Sequence, residues 1–269
     1  TKEDRLGGNL AFIEGEEVTD PYFERNQTNR FSTQTSFTKE LEGELKLEFK
    51  NSLNFFNREI TLPDYTFGGK QFSSFSELNL RKEAEKMEWA AGANLWTENF
   101  NQDQGNLAEN LDYQLNTVGA FVQNIWNMAE KWTLESGFRL DYQEDYGLFA
   151  LPKVSLMVEP SEQLTLRLGG GLGYKSATVF SEEAERISFR NVLPIDPSQF
   201  KAERSAGGNL DINYKVALGD EVTLNTNTLF FFTQIQDPLL LVAEGSSFEF
   251  SQPNGQIQTQ GVELNLKWT

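Results

Sequence analysis

From Asn209 to Phe232 the chain reads NLDINYKVALGDEVTLNTNTLFFF. Leu210, Ile212, Tyr214 and Val216 alternate with Asn209, Asp211, Asn213 and Lys215. A Gly219-Asp220 turn follows, and Val222 and Leu224 then alternate with Thr223, Asn225 and Asn227. A period of two marks strands with one apolar and one polar face. The pattern recurs at Leu45, Leu47, Phe49, Leu53 and Phe55; at Trp132, Leu134, Phe138, Leu140 and Tyr142; at Leu164, Leu166, Leu168, Leu172 and Tyr174; and at Val262, Leu264, Leu266 and Trp268. The best helical stretch, Glu77–Ala91, reads equally as two strands around a charged turn.

About twelve strands follow, over 5–13, 22–37, 42–60, 66–80, 86–98, 114–126, 131–143, 147–158, 163–176, 204–216, 221–236 and 256–268. Several exceed ten residues, against about 5–6 for the mean strand of a soluble protein. The connections alternate between short turns (38–43, 81–85, 127–131, 159–163, 217–221) and mostly longer links (15–21, 99–113, 178–203, 237–255). The link near Glu144-Asp145 is a short exception. In an up-and-down meander, alternate connections lie at opposite ends, so one end carries tight turns and the other long loops. That asymmetry is characteristic of outer-membrane barrels.

A barrel explains the two faces. Hydrocarbon satisfies no free N–H or C=O, so spanning strands must close, with the apolar face toward lipid and the polar face toward a lumen. Trp89, Trp126, Trp132 and Trp268 lie near the short-turn end, as an interfacial girdle would, whereas Trp96 lies further along its strand.

Composition narrows the chemistry. The 269 residues carry a net charge of −17, which disfavours nucleic acid as a partner. Apolar residues are 38% and aromatics 13%, the second figure arguing against disorder. There is no Cys and no His, so thiol chemistry and His-dependent triads are excluded within this chain. The 40 Asp and Glu single out no glycosidase pair. Residues 99–110 faintly echo a calcium loop, with the glycine one place late and no Glu at the twelfth position. Gly169, Gly170, Gly171 and Gly173 sit inside a strand and precede no helix, so they suit a bend or a close approach rather than a nucleotide loop. No cofactor or metal is expected.

The segments GLGYKSATVFSEEAE (171–185), KAERSAGGNLDINYK (201–215), IQTQGVELNLKW (257–268) and GFRLDYQEDYGLFALPKVSLMVEP (137–160) resemble the barrel of TonB-dependent outer-membrane receptors, especially the Bacteroidetes type. The resemblance implies an all-β, antiparallel, up-and-down transmembrane barrel of 22 strands, of which residues 1–269 would be a part. It also implies a plug domain that this chain lacks, energy from the TonB–ExbB–ExbD complex through that plug, lipid and lipopolysaccharide around the wall, and a possible surface lipoprotein partner. The implied function is import of a scarce nutrient, with an iron–siderophore complex foremost and cobalamin, haem, oligosaccharide or peptide behind it. Loops at the long-connection end capture ligand in that family, which points to Phe180, Arg186, Phe189, Arg190 and Phe200. The alternative for that segment is a loop folded on itself, with its arginines paired to Glu182, Glu183 or Glu185. Three other functions stay open: a passive porin of about twelve strands, a barrel enzyme of phospholipase type, which the missing His opposes, and a carbohydrate-binding β-protein.

Overall fold

The computed structural model describes residues 2–6, 15, 22–103, 109–219 and 222–268. Twelve strands form one antiparallel sheet in sequence order: β1 (Lys2–Leu6), β2 (Phe23–Leu41), β3 (Leu45–Leu62), β4 (Tyr65–Ala84), β5 (Met87–Gln102), β6 (Tyr113–Ala129), β7 (Trp132–Gln143), β8 (Gly147–Ser161), β9 (Leu164–Lys175), β10 (Glu203–Leu218), β11 (Val222–Gln236) and β14 (Gln256–Trp268). The pair β12 (Leu240–Glu244) and β13 (Ser247–Ser251) forms a separate hairpin within the β11–β14 connection. A short helix, α1 (Glu182–Arg186), lies between β9 and β10.

The register keeps the apolar face continuous. Met87, Trp126, Leu134, Leu156, Leu168, Leu210, Phe230 and Val262 form one cross-strand row over eight strands. Among the described residues no second layer covers this face: Leu264 and Leu266 remain 60% and 56% exposed. The row also reports strand tilt. Met87 begins β5, whereas Phe230 lies eight residues beyond Val222, the start of β11. That is a climb of about 26 Å across six strand spacings of about 29 Å, or a tilt of about 42°. Outer-membrane barrels tilt their strands by about 35–45°.

The same face is bounded at both ends. Trp89, Trp126, Trp132 and Trp268 share it at the short-turn end, whereas strand parity puts Trp96 on the opposite face. Toward the other end, Phe31, Phe55 and Phe72 form an aromatic row, and the next row is Asn29, Asn57, Lys70 and Asn101. From Leu45 to Phe55 along β3, a 40° tilt leaves about 25 Å of apolar height, the thickness of the lipid-facing band of such barrels.

The opposite face is polar and densely bonded. Asn227 donates to Asp211 (2.9 Å), Lys153 pairs with Glu135 (2.6 Å) and Lys50 with Glu48 (3.0 Å). This face is concave. Arg58 on β3 meets Glu185, in the segment after β9, at 2.6 Å. In a flat sheet β3 and β9 would stand about 29 Å apart. The segment after β9, with α1 in it, therefore runs back across this face as far as β3.

Glu77–Ala91 is two strands around a Glu85-Lys86 turn, in line with the expected strands 66–80 and 86–98. Other elements differ from the expected ones. The first strand is Lys2–Leu6, and most of the expected 5–13 span lies outside the described residues. Pro63-Asp64 is a second short link at the long-connection end, because β3 and β4 continue as a protruding two-strand ribbon. The hairpin β12–β13 and α1 are additions that the sequence pattern did not announce.

Candidate functional site

The long connections do not hang free. The β9–β10 segment and the β12–β13 hairpin fold together into a cap over the concave side of the strand tips. Leu193 N–H donates to Phe248 O and Phe248 N–H to Asn191 O, both at 2.8 Å. Gln252 ties the base of the hairpin, accepting from Lys201 N–H at 2.8 Å and donating to Asp237 O at 2.9 Å. Beneath the cap lies the main apolar cluster of the described residues, in which Ile60, Phe67, Phe100 and Leu111 meet Val179, Phe189, Val192 and Phe250. The strand residues Ile60, Phe67 and Phe100 lie beyond the lipid-facing band, where β3–β5 protrude, and Leu111 precedes β6. The cluster is therefore an ordinary water-excluded core.

Three left-handed residues shape the turn of the cap: Ser188, Phe189 and Asn191, with φ of 55°, 62° and 54°. Non-glycine residues hold such angles only where packing fixes them. Phe189 is 1% exposed and stacks on Phe67 with centroids 4.4 Å apart. Ser181 caps α1 by accepting from Ala184 N–H at 3.2 Å.

Two adjoining cavities open on the lumen side. One, of about 210 Å³, is walled by Phe56, Arg58, Glu98, Tyr113, Phe180 and Phe189 among others. The other, of about 270 Å³, is walled by Trp96, Glu98, Arg139, Asp141, Tyr174 and Lys175 among others. Glu98 and Thr178 border both. Glu98 accepts from Tyr113 O–H and, at 2.9 Å, from Gln71. Asp141, 2% exposed, accepts from Arg139 Nε at 2.7 Å and Tyr174 O–H at 3.2 Å. A buried carboxylate needs such partners. Arg139 also donates to Asn94 Oδ1 at 3.2 Å, and Gly119 leaves the room this network occupies. In the β7–β8 turn, burial and then the neighbouring Asp145 push the Tyr146 hydroxyl up to about 12, so it stays a donor to Ala177 O (3.3 Å).

The five residues singled out from the sequence lie in different places. Phe180 and Phe189 wall the smaller cavity, with Phe180 edge-on to Phe100 at 4.8 Å. Phe200 packs against the apolar cluster. Arg186 pairs with Glu182, and that partner holds its guanidinium above the usual range. Arg190 leaves the segment altogether, makes a two-pronged contact with Asp64 (2.7 and 3.1 Å) and lies 4.8 Å over Tyr65. Glu185 pairs with Arg58 instead. The wall residues Trp96, Glu98, Arg139 and Asp141 were not singled out. The available signal was their parity, which sets them opposite the apolar row. In the 99–110 stretch, residues 104–108 lie outside the described ones, and Asp103 pairs with Lys70 at 3.5 Å. No cluster of metal-ligating side chains occurs among the described residues.

Solved structures share this architecture. The siderophore receptor PirA of Pseudomonas aeruginosa superposes with a TM-score of 0.66 at 15% identity, over 91% of this chain and 46% of that one. The FrpB iron transporter of Neisseria meningitidis (F3-3 variant) gives 0.67 at 16%, over 91% and 42%. The hemophore receptor HasR of Serratia marcescens gives 0.60 at 11%, over 100% and 56%. The chain thus spans under half of the PirA and FrpB chains, and likeness at these identities establishes the fold. No curated protein matches by sequence. The family model "TonB dependent receptor-like, beta-barrel" matches residues 4–269. That family consists of receptors of the Gram-negative outer membrane rather than enzymes, and the chain, with its girdled lipid face, polar lumen face and capped mouth, belongs to it.

Proposed function

We propose that this chain is the barrel portion of a receptor that captures and imports a scarce nutrient, with an iron–siderophore complex as the leading cargo. The observation that carries this reading is the pair of lumen-side cavities under the cap, where Trp96, Tyr113, Tyr174 and Phe180 alternate with Arg58, Arg139, Lys175 and Glu98. Aromatic faces beside guanidinium and ammonium groups suit a flat, anionic, hydroxylated chelate. The solved relatives include a siderophore receptor, an iron transporter and a copper transporter, which supports a chelated metal as the class of cargo. Phe180 would contact ligand directly, while Phe189, buried behind it, and Arg186, Arg190 and Phe200 would hold the cap that presents it. Energy would come from the TonB–ExbB–ExbD complex through a plug domain outside residues 1–269, with lipopolysaccharide around the wall and a surface lipoprotein as a further partner.

The test is uptake of radiolabelled ferric siderophores, catecholate and hydroxamate in parallel, by iron-starved cells with and without the full-length receptor. Loss of uptake of one class on deletion, restored by the wild-type gene but not by one encoding Arg139→Ala with Lys175→Ala, is the expected result. Unchanged uptake of every chelate on deletion would reject iron–siderophore import.

A further inference from the structure

The ladder between β8 and β9 stops short of the strand tips. It ends at Lys153 and Gly171, beside Pro152, which has no N–H to donate. On either side the ladders run on, β7–β8 to Gln143 and Gly147 and β9–β10 to Lys175 and Glu203. Above the break, Tyr146 O–H donates to Ala177 O at 3.3 Å. These contacts frame a window in the wall. Along β8 from Ser161, at a tilt of about 42°, Lys153 stands about 20 Å and Leu148 about 32 Å above the short-turn end, so the window straddles the outer edge of the band of about 25 Å.

The strands on the two sides of the window are out of plane with each other. Register and parity put Tyr174 and Arg204 on the lipid face with Leu168 and Leu210, and put Phe149 and Asp141 on the lumen face. Yet the Tyr174 ring stacks on Phe149 at 3.9 Å, its hydroxyl donates to Asp141 at 3.2 Å, and Arg204 lies 5.3 Å over the same Phe149 ring. Lipid-side residues of β9 and β10 reach lumen-side residues of β7 and β8 only if the β9–β10 tips step inward behind β8. The wall overlaps there like shingles instead of closing edge to edge. The overlap holds a cavity of about 280 Å³ bordered from both faces, by Phe149 and Leu151 on the lumen side and by Leu172, Arg204, Ala206 and Gln234 on the other.

The window joins two surfaces of opposite character. Inward, the Phe149–Tyr174 stack is a partition of two rings, and Tyr174 also walls the lumen cavity that holds Arg139 and Lys175. Outward, Leu172 and Ala206 continue the overlap cavity into a groove of about 530 Å³ walled by Val154 and Phe232. Its floor is the glycine backbone of β9 and β10, Gly171 and Gly207 included, where Gly170 and Gly208 face each other without side chains. Building on the cargo reading above, we propose that the window takes the alkyl chain of an amphiphilic cargo, a metal chelate carrying one acyl chain. The charged chelate sits in the lumen cavity, and the chain passes the two-ring partition and lies over the glycine floor. The order of surfaces matches such a molecule end to end: cationic and hydrogen-bonding first, aromatic next, apolar last. From Tyr174 to Gly170 is four residues, about 13 Å, the reach of a chain of roughly ten carbons. Side chains at 170 and 208 like those of Leu168 and Leu210, one row away, would fill that path. Each methylene group taken from water onto it favours binding, and a chelate without a chain gains nothing from it.

The test uses the full-length receptor in phosphatidylcholine nanodiscs, with ferric trihydroxamates and tricatecholates that carry no chain, a hexanoyl chain or a dodecanoyl chain. Quenching of tryptophan fluorescence reads the affinity. For the head group that binds, the wild type holds the dodecanoyl chelate about ten-fold tighter than the chain-free one. Ala206→Trp, or Ala206→Leu with less bulk, fills the exposed groove, so the chain-free affinity stays and the gain from the chain falls away. Partition of the chain into the bilayer is common to all three proteins, so an equal gain in all three would overturn the proposal. A second measurement needs no chelate. Ser176→Cys, in the lumen cavity of a receptor otherwise free of cysteine, is treated with dodecyl methanethiosulfonate delivered in the bilayer and with a charged, water-soluble thiosulfonate. Adding Ala206→Trp should slow the dodecyl reagent several-fold and leave the charged one unchanged. An unchanged rate for the dodecyl reagent would overturn the window. If neither chain-free chelate binds, the cargo reading falls and the thiol rates alone decide the window. Heat-modifiable mobility on gels confirms that each variant is folded.

Discussion

Arg190 and Asp64, 126 residues apart, join the cap to the tip of the β3–β4 ribbon by two hydrogen bonds of 2.7 and 3.1 Å. The guanidinium holds the Asp64 carboxyl below its ordinary value. An acid depressed in the folded state stabilises above its unfolded value, near 3.8, and loses that contribution as pH falls through the lower folded value. The opposite sign applies at the hairpin, where hydrogen bonding and repulsion from Glu244 hold Glu249 above its ordinary value. Its contribution is present at low pH and is lost as pH rises through the folded value. A spin label at exposed position 183 should therefore be immobile at neutral pH and loosen only below the normal carboxylate range. With Arg190→Gln it should be looser at neutral pH already and lose that acid dependence. Glu249→Gln should tighten the hairpin at neutral pH only.

Phe189 combines a buried ring with a left-handed backbone. Phe189→Ala removes the ring and keeps the backbone penalty, so cap opening should become easier by about 3–5 kcal/mol. Phe189→Gly loses the same ring yet relieves about 1 kcal/mol of left-handed strain, so it should be the milder change. Hydrogen exchange over residues 184–192 reads the difference. Melting of the membrane-spanning part of the sheet should hardly move in either variant, because the cluster that Phe189 joins lies beyond the lipid-facing band.

Gly119 and Gly137 both lie in mid-sheet strands, yet they should respond oppositely to alanine. A methyl group at Gly119 would run into the Asp141 carboxylate and come within 2.8 Å of Asn94 Oδ1. At Gly137 the nearest atom would be Val122 O, at 3.8 Å. Gly119→Ala should thus displace Asp141 from Arg139 and Tyr174 and lower the melting temperature by several degrees. Gly137→Ala should leave it nearly unchanged. Differential scanning calorimetry of the purified receptor distinguishes them.

Long strands were legible because the lipid face demands a period of two without interruption, and Leu166, Leu168, Leu210 and Ile212 keep it in adjacent strands. The four girdle tryptophans were legible by their distance from tight turns. The cap was not. Phe180, Phe189 and Phe200 carry no periodicity, since a water-excluded core built from loops fixes them by contacts distant in sequence. The partner of Arg190 was hidden for the same reason: local carboxylates lie at 182, 183 and 185, but the fold delivers Asp64 instead. The Pro63-Asp64 link escaped notice because β3 and β4 run past the membrane boundary as a ribbon, where their polar and apolar positions follow the cap rather than lipid.

That the apolar face of this sheet meets hydrocarbon is tested most directly by nitroxide scanning of residues 207–216 and 257–267 in the full-length receptor in lipid. The chain has no native cysteine in the scanned region. Oxygen, which partitions into lipid, should broaden labels at 210, 212, 264 and 266, while a water-soluble nickel chelate should broaden those at 209, 211, 213 and 265, in strict alternation. Oxygen and nickel accessibilities that rise and fall together along both strands would contradict a membrane-facing wall.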